Sequence, residues 1–169
     1  VLAGNLAELV EREMAKRGTK CSCIRCREVG RGQRRERRSP AVSVGVSIEQ
    51  YEAGNGTELF ISADDEDDAL LGYCRLRFPS SQAHREEVGA DCAIVRELRV
   101  CGEALPLGGH GRGAVQHRGL GRQLLEEAES IACEHDKECL LILSGIGVRP
   151  YFHKLGYKRS GPYMARRPL

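Results

Sequence analysis

The sequence predicts an α/β fold of the α+β kind, a mixed and mostly antiparallel sheet flanked by helices. Three observations carry this. The apolar residues repeat with helical spacing at the start, alternate with a period of two through the middle, and return to helical spacing after residue 120. With 169 residues and 41% hydrophobic content, the chain can bury one substantial core. Neither an internal repeat nor a second core pattern interrupts that order.

The first element is a helix. Asn5 followed by Glu8 reads as a capping pair, with Leu6, Leu9, Val10 and Met14 on one face and Gly18 as the stop. Cys21, Cys23 and Cys26 follow in CSCIRC, and then the basic run RGQRRERR. Val42, Val44, Val46 and Ile48 alternate with small or polar residues, as in a half-buried strand. Gly54-Asn55-Gly56 makes a turn, and 58–63 and 69–78 are two further strands joined by an acidic turn at Asp64–Asp68. CAIVRELRVC, residues 92–101, is a fourth, strongly apolar strand, and the glycine-rich 108–113 is a loop.

A long helix is marked by Leu120, Leu124, Leu125, Ala128, Ile131 and Ala132. CLLILS, residues 139–144, is a short strand that Gly145-Ile146-Gly147 ends. Residues 148–155 form a brief helix with Pro150 in its first turn, and 157–166 a last strand interrupted at Gly161-Pro162. Residues 1–40 thus read as a linker helix, cysteine turn and basic segment, and 41–169 as the main domain.

Composition narrows the classes. The chain carries 30% charged residues and no apolar run long enough for a transmembrane helix, so no membrane partner is expected. Eight cysteines could suggest a secreted disulfide framework, yet no signal peptide is visible and the chain is too long to need one. The opening Val1-Leu2-Ala3-Gly4 lacks Met and reads as the cut end of a longer protein, and the uneven spread of the cysteines suggests a cytoplasmic one. Five cysteines are scattered among apolar neighbours as packing residues, whereas Cys21, Cys23 and Cys26 offer three thiolates in one turn, which suits tetrahedral zinc. His84, Cys74, Cys92 and Cys101 are candidates for the fourth ligand. Net charge is only +2, but 21 arginines stand against 5 lysines. Arg31, Arg34, Arg35, Arg37 and Arg38 crowd one segment, either as a solvated loop or as a phosphate-binding patch.

The segment Gln116-His117-Arg118-Gly119-Leu120-Gly121 carries the most chemistry. A glycine loop that opens a helix offers unpaired backbone N–H groups and the positive end of the helix dipole, a site for pyrophosphate. Gly119 and Gly121 permit close approach, and Arg118 and Arg122 add charge.

QHRGLG after an apolar fourth strand resembles the acetyl-coenzyme A signature Q/R-x-x-G-x-G/A of the Gcn5-related N-acetyltransferases. That resemblance implies that the fourth and fifth strands splay to admit the pantetheine arm, with the thioester near the backbone of Leu98, Arg99 and Val100. GNLAELV, CSCIRCREVG, AIVREL, QHRGLGRQLLEEAE, SGIGVRPYFHKLGY and GPYM, in that order from Gly4 to Met164, resemble the C-terminal acetyltransferase region of the Elongator protein 3 family. The resemblance implies a tRNA-modifying enzyme that places a carboxymethyl group on carbon 5 of wobble uridine (U34). It also implies a separate N-terminal radical domain holding S-adenosylmethionine and a 4Fe–4S cluster. CSCIRC has the wrong spacing for that cluster, and in this family the cysteine element joins the two domains.

Within this picture, Glu97 lies beside the expected thioester as a base or orienting group, with a structural pairing to Arg96 or Arg99 as the alternative. Tyr151 and Phe152 open the last helix where relatives often carry a tyrosine pair, which implies that both contact the cofactor and that Tyr151 protonates the leaving thiolate or caps the cofactor, while Phe152 departs from the pair by lacking a hydroxyl. Tyr157 is either catalytic or core packing. Arg99 and Cys101 depart from the His and Tyr common in relatives. Two competing functions are a protein lysine acetyltransferase and a zinc-stapled RNA-binding module without catalysis, while oligomeric state stays open.

Overall fold

The computed structural model describes residues 5–29, 43–101 and 119–168. Two helices come first, α1 (Leu6–Lys16) and α2 (Ile24–Arg27), followed by strands β1 (Gly45–Ala53), β2 (Gly56–Asp64), β3 (Leu70–Phe78) and β4 (Cys92–Val100). Then come α3 (Leu120–Glu134), β5 (Cys139–Ile142), a 3₁₀ turn at Ile146–Val148, α4 (Arg149–Lys154), β6 (Lys158–Ser160) and β7 (Tyr163–Arg166). They build a seven-stranded sheet in the order β1-β2-β3-β4-β5-β7-β6. Among the described strands only β4 and β5 pair in parallel. A parallel pair cannot be closed by a tight hairpin, so α3 serves as the crossover between them.

The α3 stripe foreseen from spacing is the buried one: Leu120, Leu124, Leu125, Ala128, Ile131 and Ala132 all face the sheet. They meet Leu59, Ile61, Cys74, Leu76, Ala93 and Val95 from β2, β3 and β4, with Leu140, Ile142, Phe152 and Met164 completing the core. Each fully buried leucine or isoleucine there contributes about 1.5–3 kcal/mol.

Several expectations change. The side chain of Asn5 does not cap α1; its amide donates to the Glu8 carboxylate at 3.3 Å instead. Gly18 does stop the helix, in a left-handed conformation at φ 65°. No residue of α1 is buried, and Leu6 is 66% exposed. β1 was expected to be half-buried, yet Val44, Val46 and Ile48 are all exposed. The cause is position: β1 is an edge strand, and α3 reaches only as far as β2. The interrupted last strand is two strands, β6 and β7, joined through Gly161 at φ 55°.

Candidate functional site

The site starts from a fault in the β-ladder. Along the β3–β4 register, Arg75 faces Glu97 but Leu76 faces Val95, so Arg96 is an extra residue and β4 bulges there. On its other side, β4 pairs with β5 only from Cys92 to Val95, and the Leu143 amide closes the contact by donating to the Val95 carbonyl at 3.0 Å. Beyond that point the two strands part. Among the described residues, β4 from Glu97 to Val100 has strand partners on the β3 side alone, and the bulged Arg96 has none.

A buried carboxylate anchors the bulge. Glu58 on β2 is fully buried, and its Oε1 accepts from Arg77 at 2.9 Å and from the bulged Arg96. Arg75 lies 3.8 Å from its second oxygen, which accepts no hydrogen bond. Arg77 also donates to the carbonyls of Ala53 and Gly54, tying the β1–β2 turn to the same cluster. A carboxylate this deep is sustained only by such cationic partners.

The strand gap opens into a cleft of about 780 Å³. Leu98 and Val100 form one wall, the start of α3 (Gly119, Gly121 and Arg122) a second, and Val148, Tyr151, Phe152, Lys154 and Leu155 a third. Its size lies in the range of small-molecule sites. Gly119 takes the left-handed conformation at φ 75°, which a side chain would strain. A Cβ on Gly121 would lie 3.4 Å from Val100 Cγ2, so glycine keeps the helix start close to the strand. Arg122 is held by Glu126 at 2.7 Å. Tyr151 is 42% exposed and stacks edge-on against Phe152 at 5.2 Å. Burial raises the Tyr151 pKa, opposed by the charge of Arg122.

Glu97 points to the opposite face of the sheet. The Tyr73 hydroxyl donates to it at 2.6 Å, and Arg75 stands 3.8 Å away. Burial and the Glu97 contact together push the Tyr73 hydroxyl up to about 12. Arg99 is on that face too, paired with Glu28 at 2.6 Å rather than turned to the cleft. Of the Leu98–Val100 trio, therefore, Leu98 and Val100 alone contribute side chains to the cleft. Tyr157 is 1% exposed, its hydroxyl donates to Glu129, and it packs behind Phe152 with ring centres 6.0 Å apart. Phe152, with no hydroxyl, lines the cleft beside Tyr151.

The cysteine turn holds together. The sulfurs of Cys21, Cys23 and Cys26 lie within 4.8 Å of one another. The Cys26 backbone amide and the Cys21 thiol draw the Cys23 pKa down, while hydrogen bonding with Cys23 and Cys21 pushes Cys26 up to about 11. Three soft thiols sharing protons in one turn fit a zinc ion. None of the four candidate fourth ligands joins the group: Cys74, Cys92 and Cys101 are buried in three separate apolar clusters, and His84 is exposed elsewhere. α2 meets the sheet through a bridge between Glu28 and Leu70 and through Arg27, which pairs with Asp64 at 2.5 Å. Gln116, His117 and Arg118, together with Arg31, Arg34, Arg35, Arg37 and Arg38, lie outside the described residues.

Sequence reasoning missed Glu58 and, on the third wall of the cleft, named Tyr151 and Phe152 but not Val148, Lys154 or Leu155. Signals for both exist: Glu58 interrupts an apolar strand opposite the alternating Arg75 and Arg77, and Val148, Tyr151, Phe152 and Leu155 recur at helical spacing.

Over 98% of its length the chain is 45% identical to the tRNA uridine(34) acetyltransferase of Methanocaldococcus jannaschii. It is 40% identical over 96% of its length to the human Elongator complex protein 3. The chain belongs to the Elongator protein 3 family. It spans about a third of the length of these relatives, 31% and 30% respectively. Among solved structures, the archaeal Methanocaldococcus infernus Elp3 with an N-terminal deletion superposes with a TM-score of 0.86 at 42% identity, over 98% of this chain and 39% of that one. A putative acetyltransferase of the GNAT family from Desulfovibrio desulfuricans gives 0.50 at 18% identity, over 69% of this chain and 73% of that one, a likeness of fold. No family model matches the chain. The sheet with splayed central strands is thus the Gcn5-related N-acetyltransferase fold. No helix among the described residues is long and apolar enough to cross a membrane.

Proposed function

We propose that this chain is the acetyl-coenzyme A-binding acyltransferase part of an Elongator-type enzyme that builds 5-carboxymethyluridine at the wobble position of tRNA. The observation that carries the reading is the separation of β4 from β5 after Val95, leading straight to the glycine-opened start of α3. In this reading the one-sided β4 backbone between Arg96 and Val100 pairs with the pantetheine amides, and a thioester carbonyl beside it is polarised by strand amides. The Gly119–Gly121 amides receive the pyrophosphate, supported by the α3 dipole and the Arg122 side chain, whose own amide is already bonded to the Gly119 carbonyl. Leu98, Val100 and Phe152 exclude water from the arm.

Tyr151, a protonated phenol on the cleft wall, is placed to hand a proton to a departing thiolate. Glu97, fixed by Tyr73 and Arg75, is the positioning group on the face from which an acyl acceptor approaches the gap. Tyr157 serves packing. Cys21, Cys23 and Cys26 would hold zinc, which supplies cross-linking rather than chemistry, and residues 1–40 form the linker to the remaining part of the protein. The radical chemistry of S-adenosylmethionine and a 4Fe–4S cluster would belong to the share of the relatives' length that this chain does not span. Arg31, Arg34, Arg35, Arg37 and Arg38 are assigned to tRNA phosphates, giving affinity that falls with salt.

Mass spectrometry of wobble uridine tests the assignment. This chain should bind acetyl-coenzyme A yet yield no modified uridine from tRNA, acetyl-coenzyme A and S-adenosylmethionine, whereas a protein of the relatives' full length should yield it. Product from this chain alone would overturn the division of labour.

A further inference from the structure

The cleft does not end at α4. A second cavity of about 250 Å³ continues beyond Arg122, Lys154 and Leu155, which line both spaces. Its far wall is the next stretch of α3, where Leu125, Glu126 and Glu129 follow Arg122 on one helix face. A ligand lying along the cleft therefore passes between Arg122 and Lys154 as it leaves the apolar part.

Charge pairing sets Lys154 apart at this exit. Arg122 is bound to Glu126 at 2.7 Å, and Arg166 lies 3.4 Å from Glu129 while donating to the Leu155 carbonyl. Glu129 in addition accepts from Tyr157. Both carboxylates of the cavity are thereby neutralised by cations of its own wall. Lys154 is exposed and has no carboxylate partner among the described residues, so its ammonium is wholly available to a ligand, whereas the Arg122 guanidinium is shared with Glu126.

We propose that Lys154 binds the 3′-phosphate on the ribose of coenzyme A, and that the chain thereby selects coenzyme A over its dephospho form. The inference rests on the acetyl-coenzyme A reading of the cleft and adds a specificity residue to it. Coenzyme A carries two anionic groups at the end away from its thiol. The pyrophosphate is accounted for by the start of α3. The ribose phosphate lies a few bonds further on, at the mouth of the second cavity, where a compact ammonium suits a point contact with phosphate. An exposed lysine gives this contact a modest strength that weakens with salt.

The test is calorimetric titration of the 169-residue chain with coenzyme A and with dephospho-coenzyme A. Wild type should prefer coenzyme A by about tenfold at low salt, as expected for one charge-assisted phosphate contact. Lys154→Met should bind both forms with the wild-type affinity for the dephospho form, and Lys154→Arg should keep most of the preference. Arg122→Gln, acting on the pyrophosphate common to both, should weaken the two forms by the same factor. Equal affinity of wild type for the two forms, or an undiminished preference in Lys154→Met, overturns the role of Lys154 while leaving the cleft assignment intact. Failure of wild type to bind either form overturns both.

Discussion

Replacing Glu58 by Gln probes the link between the buried charge cluster and the cleft. The substitution keeps shape but removes the carboxylate charge that Arg77, Arg96 and Arg75 share. Breaking a buried ion pair from one side costs about 3–5 kcal/mol. Here the cost is less, because the Arg75 and Arg96 side chains are 32% and 44% exposed and can turn to water. Arg77, at 16% exposure, cannot do so without releasing its bonds to Ala53 and Gly54. The net loss should be about 2–3 kcal/mol, or roughly 6–9 °C in Tm for a domain of this size. Circular dichroism melting measures it. Arg96 loses its anchor at the same time, so acetyl-coenzyme A affinity should fall as well, although Glu58 lies on the opposite face of the sheet. A Tm within about 2 °C of wild type, with unchanged affinity, would refute the claim that this cluster holds the β4 bulge.

Other consequences follow from the same structure. Gly121→Val should abolish acetyl-coenzyme A binding without unfolding the chain, since the new methyls meet Val100 across the mouth of the cleft; calorimetry beside circular dichroism separates the two effects. If the cysteine turn holds zinc as proposed, the zinc content read by elemental analysis should fall in Cys23→Ser while the melting of the sheet barely changes, because none of the three clustered cysteines belongs to an apolar core cluster. Burial raises the Cys74 thiol from 9.0 to about 12, and burial with the Glu97 contact raises the Tyr73 hydroxyl from 10.0 to about 12. Both are acids kept neutral by folding, so the stability they contribute is complete below pH 9 and is lost as the pH climbs through 12. Denaturant midpoints measured from pH 8 upward should fall across that window, and a flat profile would contradict these environments. At pH 8, a thiol reagent should label exposed Cys133 rapidly and Cys74 only on unfolding.

The course of the sheet was readable because alternation and spacing are local properties. α3, β2, β3 and β4 lie within two residues of where periodicity places them, and the signature glycines stand at the helix start that the motif requires. Burial was less readable. The alternation in Val44, Val46 and Ile48 states that one face of β1 is apolar, but whether anything covers that face depends on how far α3 extends across the sheet. The β4 bulge was invisible for a related reason, since it is defined by register against β3. Without it, alternation from Ala93 and Val95 carries Glu97 and Arg99 to the cleft face, where the bulge puts Leu98 and Val100 instead. Tyr157 shows the limit of motif reasoning at a single residue, because its core position follows from Phe152 occupying the wall in front of it.

In the function proposed above, the one-sided stretch of β4 and the start of α3 together form an acetyl-coenzyme A site. Amide hydrogen exchange read by mass spectrometry, with and without saturating acetyl-coenzyme A, tests it most directly. Exchange should slow in peptides covering Arg96–Val100 and Gly119–Arg122, with β1 and α1 unchanged. Bound ligand that leaves both segments exchanging at their free rates would contradict it.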